Sequence, residues 1–255
     1  MMMSHVQSVE RTLKILEILA DSPEGLSVTA LSKTMELAKS TVHRLLSTLV
    51  SKGYVQQNEQ NGHYQLGIQC LVIASSLLNN LDIRTVAKES LNSLAVSSGE
   101  VVHLCIEDKN EVVYIDKVES DQTLRMYSQI GRRAFMHCTG VGKALLSGFT
   151  DKKLNHLIDE KGLRKFTDYT ITEKDALRKE LTEIRERGYA IDEQEHELGI
   201  RCIAAPVFDH EGNVVAAISI AGPADRVTKD RVNGELAKEI LAQSQMISRK
   251  LGYLK

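Results

Sequence analysis

Tryptophan is missing from this sequence, and aromatic residues as a whole make up only 4%. Without tryptophan there is no sugar-stacking platform of the kind that carbohydrate-cleaving clefts place beside paired carboxylates. No stretch approaches the roughly 18 apolar residues needed to span a membrane. The opening MMMSHVQSVERTLKILEIL has no basic head leading into a continuous apolar run, so the protein is expected to be cytoplasmic, without a membrane partner. Cys70, Cys105, Cys138 and Cys202 lie 33 to 64 residues apart, with no CxxC pair. That spacing excludes the common structural zinc and redox motifs, and reduced thiols with no metal and no cofactor are expected. A surplus of one charge is also lacking: 32 Lys and Arg face 34 Asp and Glu, for a net charge of −2. Any nucleic-acid contact must therefore come from a local surface.

What is present is 255 residues, 42% hydrophobic and 26% charged, enough for two modest domains with real cores. Residues 8 to 20, SVERTLKILEILA, carry Val9, Leu13, Leu16 and Leu19 at helical spacing, with Ile15 beside them and Ser8 placed to cap the start. A short helix with Val28, Leu31 and Met35 follows Ser27. Then AKSTVHRLLSTLVSKGY predicts a longer helix with Val42, Leu45, Leu46 and Leu49 inward and Gly53 as its stop. YVQQNEQNGHYQL reads as two short strands around a polar turn.

Helix, helix, turn, helix and hairpin in this order predict a winged helix-turn-helix. A helical pair that merely packs is the bland reading. Against it, Lys39, Ser40, Thr41, His43 and Arg44 cluster at one helix start, where a major-groove reader puts its contacts. With Ser27 on the preceding helix, these are the candidate DNA contacts. The first 66 residues hold six basic against six acidic side chains, so one such domain should bind DNA modestly and gain from oligomerisation.

Residues 68 to 81, IQCLVIASSLLNNL, form an apolar helix with no polar stripe, which needs a partner surface to cover it. Beyond it come a helix from Arg84 to Val96, alternating runs VVHLCIE and VVYIDKVE, then LRMYSQIGRR and TGVGKALLSG. Helices at Asp151–Glu160 and Glu173–Arg187, strands near Tyr189–Asp192, Arg201–Phe208 and Asn213–Ala221, and a last helix from Thr228 to Leu251 complete the pattern. The fold class is α+β with an antiparallel sheet.

Two stretches invite chemistry. TGVGKALLSG joins glycines to a lysine but lacks the GxxxxGK[ST] spacing of a phosphate loop. It reads either as a plain tight turn or as a helix start whose N–H groups at Gly140 and Val141 face a small carboxylate or ketone oxygen. DEQEHELGIRC gathers an aspartate, three glutamates, a histidine and a cysteine in eleven positions. It has no HExxH and no second histidine, so no metal site or catalytic residue is assigned there and the chain is not expected to be an enzyme. The adjacent Arg132 and Arg133 read as surface charges, the other reading being that one reaches an anionic effector or a partner subunit.

The chain resembles the IclR family of bacterial transcriptional regulators. The resemblance rests on VQSVERTLKILEIL, ALSKTMELAKSTVHRLLSTLVSKGYV, YQLG, GRRAFMHCTGVGKALL, RGYAIDEQEHELGIRCIAAPVFD and AAISIAGP. It implies a winged helix-turn-helix domain over residues 1–67 (helix-turn-helix about 28–47), a linker helix over 68–82 and a GAF-like effector-binding domain over 83–255. It also implies a homodimer or homotetramer on a palindromic operator in double-stranded DNA, released by a small organic-acid effector. The family's pocket falls on Gly140, Val141, Asp192, Cys202 and Ser219, with Leu124 and Met126 as apolar walls. Some members have a second serine two residues after Ser219, where this chain has Ala221. LRMYSQIGRR is similar to the KdgR-like subgroup, whose effector is 2-keto-3-deoxygluconate. The implied role is a repressor of a carbon-catabolism operon. The alternatives are an activator responding to an aromatic or other organic acid, and an enzyme carrying a winged helix.

Overall fold

The computed structural model describes residues 6–79, 82–119 and 128–253. The chain divides into two compact units, Met1–Asn80 and Leu81–Lys255.

In the first unit, helices α1 (Gln7–Ala20), α2 (Val28–Thr34) and α3 (Lys39–Ser51) precede strands β1 (Val55–Gln57) and β2 (Tyr64–Leu66). The Ser27 hydroxyl accepts from the Ala30 N–H at 3.2 Å and so caps α2. Glu36 turns the chain with a left-handed φ of 54°. Ser32 donates to the Leu37 carbonyl, which fixes the α2–α3 turn. Gly53 ends α3 with φ of 74°, and Gly67 must stay small because a Cβ there would meet the Gly53 carbonyl oxygen at 2.2 Å. β1 and β2 pair antiparallel, Val55 opposite Leu66, and Tyr64 also bridges Leu26. Ile15, Leu19, Leu31, Val42, Leu46, Leu49, Val55 and Tyr64 form the core. Only the second half of the expected α1 stripe is inside it: Ile15 and Leu19 are buried, whereas Val9 and Leu13 are about half exposed. Helix α4 (Ile68–Asn79) follows, with Ile68, Leu71, Val72 and Ile73 exposed.

The second unit opens with α5 (Asp82–Ser98), then β3 (Val101–Asp108), β4 (Glu111–Val118), β5 (Arg133–Ala134), α6 (Gly140–Leu146), α7 (Asp151–Lys161) and α8 (Lys174–Arg187). β6 (Ala190–Glu193), β7 (Ile200–Phe208) and β8 (Val214–Pro223) come next, then α9 (Lys229–Arg231), a π-helical segment (Val232–Leu236) and α10 (Ala237–Lys250). The expected single last helix is thus interrupted: Thr228 caps α9 through the Arg231 N–H, and the backbone widens over Val232–Leu236 before the α-helical pattern resumes. The six-stranded sheet runs in the order β5-β4-β3-β8-β7-β6, with every neighbouring pair antiparallel.

The pleat sorts the side chains of this sheet. Val102, Leu104, Ile203, Ala205, Ile218 and Ile220 share a core with residues of α5 and α10. Cys105, Ala190, Ala204 and Ala217 share a second core with residues of α6, α7 and α8. Because alternate residues point to opposite faces, His103, Asp192, Cys202, Ser219 and Ala221 lie on the α6 face. Register ties them together: His103 is opposite Ser219, Asp192 opposite Cys202, and Cys202 opposite Ala221. Residues far apart in sequence therefore meet on one face of the sheet in two adjacent cross-strand rows, His103 with Ser219 and Asp192 with Cys202 and Ala221.

Candidate functional site

The first unit presents Lys39, Ser40, His43 and Arg44 as exposed side chains on α3, with Thr41 half-buried. Val42, Leu46 and Leu49 hold the opposite side of the helix in the core. The α3 segment KSTVHRLLSTLVS contains no carboxylate, so the exposed turn is cationic although the domain is not. Ser27 is half-buried and its hydroxyl oxygen accepts in the α2 cap, so what it has left to offer as a donor is its hydroxyl hydrogen.

The second unit holds a cavity of about 310 Å³. Its walls include Gly140, Val141, Asp192, Cys202 and Ser219, together with His103, Tyr114, Ser128, Arg132, His196 and Ala221. Thr139 caps α6, its hydroxyl accepting from the Gly142 N–H at 3.2 Å and donating to the Phe135 carbonyl at 2.8 Å. The Gly140 and Val141 N–H groups are first-turn donors with no carbonyl inside the helix to take them. Two expected wall residues, Leu124 and Met126, lie outside the described residues.

Asp192 is 3% exposed and its carboxylate accepts from the Glu195 N–H at 2.7 Å. Burial first, and the neighbouring Glu195 carboxylate second, push its pKa up to about 7. Near neutral pH Asp192 is thus partly a carboxylic acid, able to donate to a ligand oxygen. His103 is held the other way: burial, then the Lys117 ammonium, bring it down to about 3, so the ring is neutral. Burial raises the Cys202 and Cys138 thiols, which keeps them protonated and unreactive as nucleophiles. Among the described residues no group of three or more His, Cys, Asp or Glu side chains could hold a metal ion.

Two family models match the chain: the IclR helix-turn-helix domain over residues 8–59 and the bacterial transcriptional regulator IclR C-terminal domain over residues 75–249. The chain belongs to the IclR family. It is 41% identical over 251 residues to the HTH-type transcriptional regulator XynR of Escherichia coli, covering 97% of this chain and 98% of that one. It is 35% identical over 249 residues to the acetate operon repressor of Salmonella typhimurium, covering 97% and 90%. The crystal structure of Thermotoga maritima IclR superposes with a TM-score of 0.81 at 33% identity, covering 98% of this chain and all of that one. These are DNA-binding transcriptional regulators and not enzymes, and the α+β fold is theirs.

In this IclR-family chain the acidic stretch is tied into the second unit by ion pairs. Glu193 pairs with Arg201, whose guanidinium also reaches the carbonyls of Ala224 and Val227. The Glu195 side chain turns inward to the ammonium of Lys143, which is 1% exposed and also lies 3.4 Å from Glu180. Thr167 and Thr170 donate to the Glu195 carbonyl, and the second carboxylate oxygen of Glu195 is buried without a hydrogen-bond partner among the described residues. His196 packs against Phe166 with tilted rings, centroids 5.3 Å apart, and faces the cavity, as does Glu197. Arg132 lines the cavity as well. Arg133 does too, but it is ion-paired to Asp108 and Glu111. The helical stretch TGVGKALLSG makes its closest demand at Gly142, where a Cβ would meet the Met136 carbonyl oxygen at 2.3 Å. A Cβ at Gly140 would come no nearer than 3.4 Å to the Ala204 and Cys202 side chains and 3.7 Å to the Asp192 backbone nitrogen.

Proposed function

We propose that this regulator represses a carbon-catabolism operon and is released when a small keto acid or sugar acid, such as 2-keto-3-deoxygluconate, fills the cavity of its second unit. The observation that carries the reading is the convergence, in one cavity of about 310 Å³, of the Gly140 and Val141 N–H groups with Asp192, Cys202 and Ser219. Two first-turn N–H groups suit a carboxylate, and a half-protonated Asp192 with a serine hydroxyl suits the ketone and hydroxyl oxygens beside it. Leu124 and Met126 are the further apolar contacts of this reading. Ala221 removes a hydroxyl that some relatives carry, and so favours a ligand with one oxygen fewer to satisfy on β8.

On the DNA side, Lys39, Ser40, Thr41, His43 and Arg44 of α3, with Ser27 ahead of them, contact the major groove and its phosphates. The net-neutral first domain calls for two such helices, so a homodimer or homotetramer binds a palindromic operator with half-sites about one helical turn apart or a multiple of it. Effector binding shifts operator affinity by roughly 5- to 150-fold, the range of typical coupling free energies. The test is a thermal-shift and calorimetry screen of small keto acids and sugar acids, followed by operator gel shifts with each hit. A hit that binds and leaves operator affinity unchanged removes the effector reading. A hit that tightens operator binding reverses the sign of control.

A further inference from the structure

We propose that His103 is a positioning residue of the cavity: acting through Ser219, it lets the site accept either a ketone oxygen or a hydroxyl at carbon 2 of a small carboxylic acid. The inference rests on the effector reading above and goes past it, to the functional groups that the pocket admits at that carbon.

His103 and Ser219 face each other across β3 and β8 on the same side of the sheet. The Nδ1 of His103 lies 3.2 Å from the Ser219 hydroxyl and its Nε2 lies 2.7 Å from the Ser128 hydroxyl. The ring is 3% exposed and meets Tyr114 edge-on, with centroids 5.1 Å apart. Lys117 donates to the Ser128 carbonyl at 2.8 Å and holds that end of the chain of contacts in place. A neutral imidazole has one donor nitrogen and one acceptor nitrogen, and burial with the Lys117 charge keeps this one neutral. Ser219, His103 and Ser128 therefore form a relay with two directions.

In one direction the Nδ1–H donates to Ser219, the Ser128 hydroxyl donates to Nε2, and the Ser219 hydrogen is free for a ligand ketone. In the other, Ser219 donates to Nδ1, the Nε2–H donates to Ser128, and the Ser219 oxygen accepts from a ligand hydroxyl. The second direction depends on His103, because the Ser219 hydrogen then needs an acceptor inside the protein. In the first, loss of the imidazole leaves the Ser219 hydrogen on the ketone and strands only the Ser128 hydrogen, which water can take because Ser128 is half-buried whereas Ser219 is buried, and this is the smaller penalty.

Pyruvate and L-lactate differ only at this carbon and serve as the probes. In full-length protein with 15N-labelled histidine, the nitrogen shifts of His103 should report a neutral ring at pH 5.5, the Nδ1–H tautomer with pyruvate and the Nε2–H tautomer with L-lactate. His103→Phe keeps a ring against Tyr114, and by calorimetry it should weaken L-lactate roughly tenfold more than pyruvate, the penalty of one buried unpaired donor. One tautomer in both complexes, a ring protonated at pH 5.5, or equal losses for both acids in the variant would overturn the relay. If His103→Phe does not fold, the tautomers of the wild-type complexes decide alone. Binding of both acids with an unswitched ring leaves the effector reading standing and removes only the relay. Binding of neither acid, with the keto-acid screen also empty, removes both.

Discussion

Replacing Asp192 with Asn should stabilise the protein, and the gain should grow as the pH rises. Asp192 sits on β6 opposite Cys202, almost wholly buried, with Glu195 as its nearest like charge. An acid whose folded pKa lies above its unfolded one holds its proton more tightly in the native state. Its ionisation therefore removes stability from pH 3.8 upward, and the loss is complete above pH 7. At ~1.4 kcal/mol for each tenfold change in proton affinity, the rise from 3.8 to about 7 gives a ceiling of about 4 kcal/mol. Asn keeps an oxygen for the Glu195 N–H and carries no charge at any pH, so the variant escapes this loss. Between pH 5 and pH 8.5 the advantage of the variant should widen by about 3 kcal/mol, or roughly 5–10 °C in Tm for a domain of this size. The assay is thermal unfolding of both proteins across that range, followed by circular dichroism. Parallel Tm curves with a constant offset would refute the reasoning, because they would mean that Asp192 ionises with the same ease folded and unfolded.

Lys143→Met should destabilise the second unit by about 3–5 kcal/mol at pH 8, since it leaves the buried Glu195 carboxylate without its cation. Burial already raises the Glu195 pKa, so the deficit should shrink as the pH is lowered, and adding Glu195→Gln should recover much of it in urea denaturation. Gly142→Ala should cost at least about 2 kcal/mol, because its Cβ would collide with Met136 backbone. Gly140→Ala, with no neighbour nearer than 3.4 Å, should fold normally, and equal Tm losses for the two would contradict the geometry. Lys39→Ala and Arg44→Ala should each weaken operator binding and lower the magnitude of its salt slope by about one, and unchanged gel-shift affinity for both would move the DNA contacts off α3.

The first unit is legible in sequence because its signals are local. Ser27 before α2, the polar start of α3 and Gly53 after it are all within a helical turn of the event they mark. The error there is also local: a stripe with correct spacing says nothing about where the neighbouring elements end, and the early turns of α1 project Val9 and Leu13 past the core. In the second unit the strands are readable from alternation, whereas the cavity is not, because strand register assembles it. His103 sits in VVHLCIE like any interior strand residue, and nothing nearby in the chain says that Ser219 lies opposite it. Asp192, Cys202 and Ser219 come from family resemblance rather than spacing, whereas Gly140 and Val141 are also readable as a helix start. Nothing in the sequence singles Glu195 out from the acidic residues around it, and its partner Lys143 is hidden in a helix that is buried on every side. The turn at Gln194, with φ of 62°, sends Glu195 inward, and no composition rule predicts that.

The Lys143–Glu195 tie has a mechanical consequence. One end of α6 borders the cavity through Gly140 and Val141, while the acidic loop borders it through His196 and Glu197. A buried ion pair between the helix and the loop clamps these two walls into one lever. The loop and the start of α6 are thus one wall rather than two, and α6 in turn shares its core with α7, α8 and the sheet.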